Sequence, residues 1–321
     1  MKAVIFNQYG GTDVLQYQDV PDPNIQPNQL LVKVYATSVN PVDWKIRQGQ
    51  LQLLSGFNFP KRLGSDVSGV VVAVGENVTG FEAGDEVYTF LNPLSGGAYA
   101  EYVAVPAATT ALKPSNINYN QAAAVPVAGL TALQALLDLG HIRSGQKVLI
   151  NGASGGVGTF AVQIAKLLQT EVTGVCSGAN LELVKQLGAD VAIDYTQVDF
   201  TQQGTQYDII FDAVGKQTFF NCQKVLQPDG IYISTLPSLA NLTAAAQTFL
   251  FPGQKAKLIL VQPIRRDLEA LREWIEAGQI QVVIDKTYPL SEVIPAHLDS
   301  ETGRTVGKIV MTVGDSDRST G

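Results

Sequence analysis

The sequence predicts an α/β protein in two parts: a mostly antiparallel β domain, and a doubly wound parallel sheet with helices on its faces. Three observations lead there. The first third carries short strand-like runs with a turn signal about every ten residues, as in PDPNIQPNQ, GENVTGFEAGD and LNPLSGG. From about residue 121 the pattern changes to strands alternating with helices. Within that stretch a strand runs through a glycine-rich turn straight into a helix. At 321 residues the chain is also too long for one ordinary core.

Each element follows from its pattern. QLLVKVYATSV (29–39) and VSGVVVAVG (67–75) read as strands, the second apolar enough to be buried on both faces. GDEVYTF (84–90) and AYAEYVAV (98–105) follow, each entered through glycines. QAAAVPVAGLTALQALLDLG has helical spacing, and KVLIN (147–151) is a short buried strand. TFAVQIAKLLQ (159–169) puts Phe160, Ile164, Leu167 and Leu168 on one helical face. EVTGVC (171–176) is the next strand, and LELVKQLG is a helix closed by Gly188. VAIDY, YDIIFDAVG, GIYISTL and KLILVQ read as further strands. After Pro263 come a helix (DLEALREWIEAG), the strand-like QVVIDKTYPL and a last strand, GKIVMTV; the polar tail GDSDRSTG is expected to fray. The expected domains are 1–121 with 264–321, and 122–263.

Composition removes several function classes. Net charge is −7 and the basic residues are scattered, so no nucleic-acid footprint exists. Apolar runs stop well short of the roughly 20 residues a membrane helix needs, and MKAVIFNQYGG, polar and Gly-rich after six residues, does not read as a signal peptide. A soluble, cytoplasmic protein with no membrane span is expected. Cys176 and Cys222 form no CxxC, which fits a reducing compartment. The chain has only two histidines, His141 and His297, and a catalytic zinc usually takes three protein ligands. The cysteines and histidines are therefore expected to be packing or surface residues.

KVLINGASGGVGTFAVQIAKLL carries the chemistry. Ala153, Gly155 and Gly158 have the spacing of the dinucleotide fingerprint, with a strand before and a helix after. Small residues let the backbone approach a pyrophosphate, and the helix start offers free N–H groups and partial positive charge. NAD sites usually place a carboxylate about 20 residues on, at the end of the second strand. Here that strand ends VTGVCSGAN, neutral until Glu182. Hydroxyl and amide donors from Ser177 and Asn180 suit a 2′-phosphate, so NADPH is expected, although Gly178 and Ala179 supply no cation.

ATSVNPVDWKIRQG (36–49), LGSDVSGVVVAVGENVTGFEAGDEVY (63–88), AAAVPVAGLTALQAL (122–136), NGASGGVG (151–158), LVKQLGADVAIDY (183–195) and GRTVGKIV (303–310) resemble the medium-chain dehydrogenase/reductase superfamily. They are most similar to its zinc-free quinone oxidoreductase branch, and within it to plant-type enone/alkenal reductases and chloroplast quinone oxidoreductase homologues. The resemblance implies a GroES-like β-rich domain, a Rossmann domain and a homodimer. Zinc-dependent members carry a Gly-His-Glu motif where this chain has Ser65 and Asp66, and a Cys where it has Asn40. No zinc is therefore expected, and Asp66 reads as a structural acceptor of backbone N–H bonds in its turn.

The resemblance also implies roles for individual residues. Lys45 is expected to contact the cofactor and polarise the substrate, with a solvated loop lysine as the alternative. Asn40 is either a donor to the substrate oxygen or a turn former before Pro41. Asp43 either orients Lys45 or caps the helix that follows. Gly155, Gly156 and Val157 are expected at the pyrophosphate, and Ser177 and Asn180 at the adenosine ribose. Tyr195 is either beside the adenine or core; Thr131 is near the nicotinamide or an ordinary helix residue. Val214 with Gly215, and Thr235 with Leu236, end strands at the sheet's carboxyl edge. Arg304 is either the missing cation or a surface residue. Tyr99 and Tyr102 read as strand residues, and Cys176 as structural.

Three functions fit. The first is NADPH-dependent hydride transfer to an activated C=C bond or a quinone. The others are one-electron quinone reduction and non-enzymatic NADPH binding. The apolar loops 50–60 and 238–253 suit a small lipophilic carbonyl or quinone substrate.

Overall fold

The computed structural model describes residues 1–314, so all of the tail expected to fray except Gly314 lies outside the described residues. The chain forms two compact units. The first contains Met1–Val127, Pro263–Gly278 and the residues from Val282 on; the second contains Ala128–Gln262 and Gln279–Gln281. Residues 122–127, Pro263 and Gln279–Gln281 thus fall on the other side of the boundaries read from sequence. Residues 122–127 stay with the first unit because Ala123 and Ala124 pack on Ala36 and Val310. Gln281 joins the second through paired bonds with Gln163: its N–H donates to Oε1 at 2.7 Å, and its carbonyl accepts from Nε2 at 3.0 Å.

The first unit opens with β1 (Lys2–Phe6), β2 (Gln16–Asp19), β3 (Gln29–Val39), β4 (Lys61–Arg62), β5 (Asp66–Val74), β6 (Glu86–Phe90), β7 (Tyr102–Pro106) and β8 (Thr110–Leu112). The second holds β9 (Lys147–Asn151), β10 (Glu171–Cys176), β11 (Val191–Asp194), β12 (Tyr207–Asp212), β13 (Leu226–Ser234) and β14 (Lys255–Leu258). The chain then returns for β15 (Ile284–Pro289) and β16 (Lys308–Thr312).

In the first unit, β15-β16-β3-β5-β6-β8 lie in order in a seven-stranded sheet, with β7 paired on β3. All pairings except β15 with β16 are antiparallel. The first part of β3 alternates buried and less buried residues, while Ala36–Val39 are buried throughout. The core gathers Phe6, Leu30, Val32, Leu63, Val67 and Met311. The second unit is a six-stranded parallel sheet in the order β11-β10-β9-β12-β13-β14. Its helix Gly156–Leu167 buries every residue from Gly158 to Ala165, more than one amphipathic stripe requires. Gly188 takes φ +110° after the helix Leu181–Gln186, as its C-terminal glycine signal implied. No helix among the described residues is long and apolar enough to cross a membrane.

Candidate functional site

In the second sheet the strand order reverses between β9 and β12, and loops leaving such a switch point diverge to form a crevice at the carboxyl edge. Asn151, ending β9, donates through Nδ2 to Asp212 Oδ1 at 2.8 Å at the end of β12. The buried Asp212 carboxylate also accepts the N–H groups of Gly215 at 3.1 Å and Gln217 at 2.8 Å, and the Tyr232 hydroxyl at 3.1 Å. It thereby shapes the turn carrying Val214 and Gly215, a role that sequence reasoning missed.

After Asn151 the chain turns at Gly152 with φ +81°, a conformation that a side chain makes costly. The N–H groups of Gly152 and Ala153 donate to the Val175 carbonyl at 3.0 and 2.9 Å. A Cβ on Gly158 would lie 2.0 Å from the Gly152 oxygen, so helix and turn touch only because that side chain is absent. A Cβ on Gly155 would meet only Gly152 O, at 3.4 Å. Open space therefore fronts the helix start, where Gly155, Gly156 and Val157 lie and the first N–H groups have no intrahelical acceptor. A dinucleotide pyrophosphate fits this cradle.

The adenosine end needs a correction. Asn180 Nδ2 donates to Ser154 Oγ at 3.1 Å and Ser177 Oγ at 3.2 Å, which draws three polar side chains together. The region is not neutral, however. Parallel pairing sets Asp194 opposite Cys176, and a Cβ on Gly178 would stand 2.6 Å from Asp194 Oδ2. Eighteen residues beyond Cys176, this carboxylate is visible only once strand register is known. Tyr195 is exposed, with its N–H bonded to Cys176 O at 3.0 Å, so core packing is not its role. Burial, with the Asp194 charge, pushes the Cys176 thiol up to about 11, the value of an inert thiol.

At the other strand ends, Val214 is exposed, and a Cβ on Gly215 would lie 2.4 Å from Leu236 Cβ. Thr235 donates its N–H to Asp212 O at 3.2 Å and its hydroxyl to Ala213 O at 3.2 Å. Thr131 is buried in the helix Pro126–Gln134.

The remaining candidates belong to the first unit. Antiparallel pairing of β16 with β3 matches Ile309 to Val39, which delivers Lys308 beside Asn40. Pairing of β3 with β5 matches Ala36 to Ser68, which delivers Asp66 beside Ser38. A buried cluster results. Lys308 Nζ donates to Asn40 Oδ1 at 2.6 Å and Val39 O at 3.2 Å, and lies 3.6 Å from Asp66 Oδ2. Asp66 accepts from Asn40 Nδ2 at 2.7 Å, the Val127 N–H at 2.7 Å and the Ser38 hydroxyl. Its partners thus lie outside its own turn, contrary to the sequence reading. Lys308 is 4% exposed and Asp66 0%. Burial lowers the Lys308 pKa, and the Asp66 and Asp43 carboxylates oppose that shift.

Asp43 does not pair with Lys45. Fully buried, it accepts the Asn40 N–H at 2.8 Å, the Tyr99 hydroxyl at 3.0 Å and the Gly64 N–H at 3.3 Å. Asp43 is therefore not the cap of a helix starting at Trp44: the helix is Pro41–Arg47 with Asn40 as its N-cap, and Asp43, its third residue, reaches back to the Asn40 N–H, while Tyr99 serves this network rather than a strand. Desolvation raises Asp43 to about 6, against those bonds from Asn40 and Tyr99. Lys45, half-buried with a pKa lowered by desolvation, places Nζ 5.5 Å from the centre of the Trp44 ring. Arg304 is exposed in the turn before β16, its N–H bonded to Thr302 Oγ1 at 3.2 Å. Lys308, Asp194 and Asp212 carried no local motif; only strand pairing assembles them.

A glycine turn at the switch point of a doubly wound sheet, in a chain that also forms a largely antiparallel β unit, defines the two-unit dinucleotide-dependent oxidoreductases. Residues 26–115 match an alcohol dehydrogenase GroES-like domain, and residues 187–311 a zinc-binding dehydrogenase family. A chloroplast envelope quinone oxidoreductase homolog of Arabidopsis thaliana is 36% identical over 97% of this chain and 98% of its own. An NADPH-dependent alkenal/one oxidoreductase of the same plant is 36% identical over 97% of this chain and 79% of its own. The structure of the quinone oxidoreductase from Coxiella burnetii superposes with a TM-score of 0.89 at 34% identity, covering 98% of this chain and 99% of that one. The chain belongs to the medium-chain dehydrogenase/reductase superfamily and is an oxidoreductase.

The zinc named in one family description finds no fitting donor set where this sequence departs from the zinc motif. Asn40, Ser65 and Asp66 stand there, and the Lys308 ammonium already engages the oxygens of Asn40 and Asp66.

Proposed function

We propose that this protein is a zinc-independent, NADPH-dependent reductase of activated C=C bonds in α,β-unsaturated carbonyls, and of quinones. The observation that carries the reading is the Asn40 cluster, a polar site whose cation is a lysine rather than a metal. Relatives named for alkenal/one and quinone reduction support the substrate class, and the NADPH-dependent name of one of them supports the coenzyme, for which the Asp194 carboxylate near Gly178 argues the other way. Bound NADPH would supply a hydride. Gly155, Gly156 and Val157 hold its pyrophosphate, and Ser177 with Asn180 meets the adenosine ribose. Tyr195, Val214, Thr235 and Leu236 line the carboxyl edge, and Thr131, Lys45 and Arg304 complete the cofactor set. Hydride addition to an electron-poor carbon would place negative charge on the acceptor oxygen, and a proton from water would complete the reduced product. Asn40 donates to that oxygen, and half-buried Lys45 adds positive potential. The acceptor is already electrophilic, so donors in fixed positions suffice without a Lewis acid.

Two protein side chains hold Asn40 in one orientation, which favours this chemistry over cofactor storage. The test is a panel assay. Chelator-treated protein is mixed with NADPH or NADH and a set of enals, enones and quinones, and loss of reduced cofactor is followed. Turnover of conjugated carbonyls or quinones with NADPH preferred is expected. Tight NADPH binding with no turnover of any acceptor contradicts the reading, and semiquinone radicals seen during turnover replace hydride transfer with one-electron transfer.

A further inference from the structure

We infer that Lys308 is the resident cation of this site and the residue that sets the polarity of Asn40. The inference rests on the reading of Asn40 as the donor to the acceptor oxygen. An asparagine amide has two faces of opposite character, and its chemistry depends on which one its surroundings consume. Here Oδ1 receives the Lys308 ammonium at 2.6 Å, and Nδ2 donates to the Asp66 carboxylate at 2.7 Å. A flipped amide would set its oxygen against a carboxylate and its NH2 against an ammonium. Both contacts are charge-assisted in the observed orientation and repulsive in the other. One N–H of Nδ2 serves Asp66; the second belongs to the same fixed donor group.

Lys308 is itself over-determined. Nζ donates to Asn40 Oδ1 at 2.6 Å and Val39 O at 3.2 Å, and Asp66 Oδ2 adds an ion pair at 3.6 Å. Asp66 is held in turn by Ser38 and the Val127 N–H. These are the surroundings of a built-in ion. A cation held by an amide oxygen, a carbonyl and a carboxylate resembles a hard-metal site in donor type, with the charge tethered to the chain instead. Lys308 therefore acts through Asn40, as a positioning residue.

The test combines Lys308→Met, Asn40→Ala and the double variant with hydrogen exchange of the Asn40 side-chain amide in unliganded protein. Lys308→Met is expected to lower kcat about 10-fold or more while the Kd for NADPH moves less than about 3-fold. In the Asn40→Ala background the same change is expected to lower kcat less than about 2-fold, because the group Lys308 orients is gone. Slow exchange of the Asn40 NH2 in the unmodified protein is expected, and its loss in Lys308→Met. If Asn40→Ala is impaired but folded Lys308→Met keeps its kcat, the inference fails and the Asn40 reading stands. If Asn40→Ala turns over normally, the Asn40 reading fails and takes the inference with it. Should Lys308→Met not fold, the unmodified protein still decides: an Asn40 NH2 exchanging as fast as an exposed amide overturns the proposal.

Discussion

Asp43 and Lys45 lie two residues apart on one short helix and have different surroundings. Asp43 points into the unit and meets three donors, yet loss of water dominates and raises it to about 6. Its carboxyl signal, followed by NMR in a carbon-13-labelled sample, should titrate with a midpoint near 6. A midpoint below about 4, the ordinary aspartate range, would mean that the bonds outweigh desolvation. Lys45 keeps a half-exposed ammonium over Trp44. Lys45→Ala is expected to weaken NADPH binding or slow turnover by about 10-fold, equal to roughly 1.4 kcal/mol. Unchanged kinetics would remove Lys45 from the site. Asp43 also marks what one residue's neighbourhood in sequence reveals. A helix start was readable from NPVD, although the cap is Asn40 and Asp43 sits three residues in; burial against Tyr99 and Gly64 was not readable, because those partners lie far along the chain.

The glycine turn between β9 and its helix is the element on which the proposed nucleotide binding depends. Its backbone path requires that Gly158 have no side chain, since the nearest atom to an added Cβ is a backbone oxygen that cannot swing away. Gly158→Val is expected to destabilise the second unit by about 3 kcal/mol or more and to abolish NADPH binding, read by urea unfolding and fluorescence titration. Gly155→Ala meets only one atom, at 3.4 Å, and should fold normally while binding NADPH more weakly, because its methyl enters the open cradle. Equal stability of both variants with the parent would contradict this account of the turn. This was the element most legible in sequence, because strand, glycines and helix are contiguous and their spacing encodes the contact. The strands β3, β9 and β10 match the sequence reading in full for the same local reason. The clusters were not legible. Lys308 meets Asn40 across 268 residues, and Asp194 meets Gly178 only through parallel register. A period of two or 3.6 in the sequence places a residue on a face but does not name the strand beside it.

Two buried groups contribute to the pH dependence of stability with opposite signs. His297 is buried, takes the Arg47 guanidinium on Nδ1 at 3.2 Å, and is lowered to about 3 by desolvation and by that charge. Its folded value lies below its unfolded value, near 6.5. Stability present above 6.5 is therefore lost as pH falls toward 3. Asp43 has the opposite sign. Raised when folded, it contributes stability that is complete below the unfolded value, near 4, and lost as pH rises through about 6. Between about pH 4 and 6 the two slopes oppose each other. Asp43→Asn is therefore expected to steepen the loss of stability on acidification in that window, and His297→Asn to relieve it. Chemical unfolding across the pH range would read both, and parallel curves for all three proteins would refute the assignment.

The central claim is hydride transfer to an electron-poor carbon at a site whose cation is a lysine. Its most direct test follows the hydrogen itself. NADPH deuterated at the transferring position is supplied to chelator-treated protein with a conjugated enone, and the product is analysed by NMR. The account expects one deuterium at the carbon β to the carbonyl, at a rate that neither chelation nor added zinc changes. Loss of transfer on chelation with recovery on zinc, or a reduced product carrying no deuterium, would contradict it.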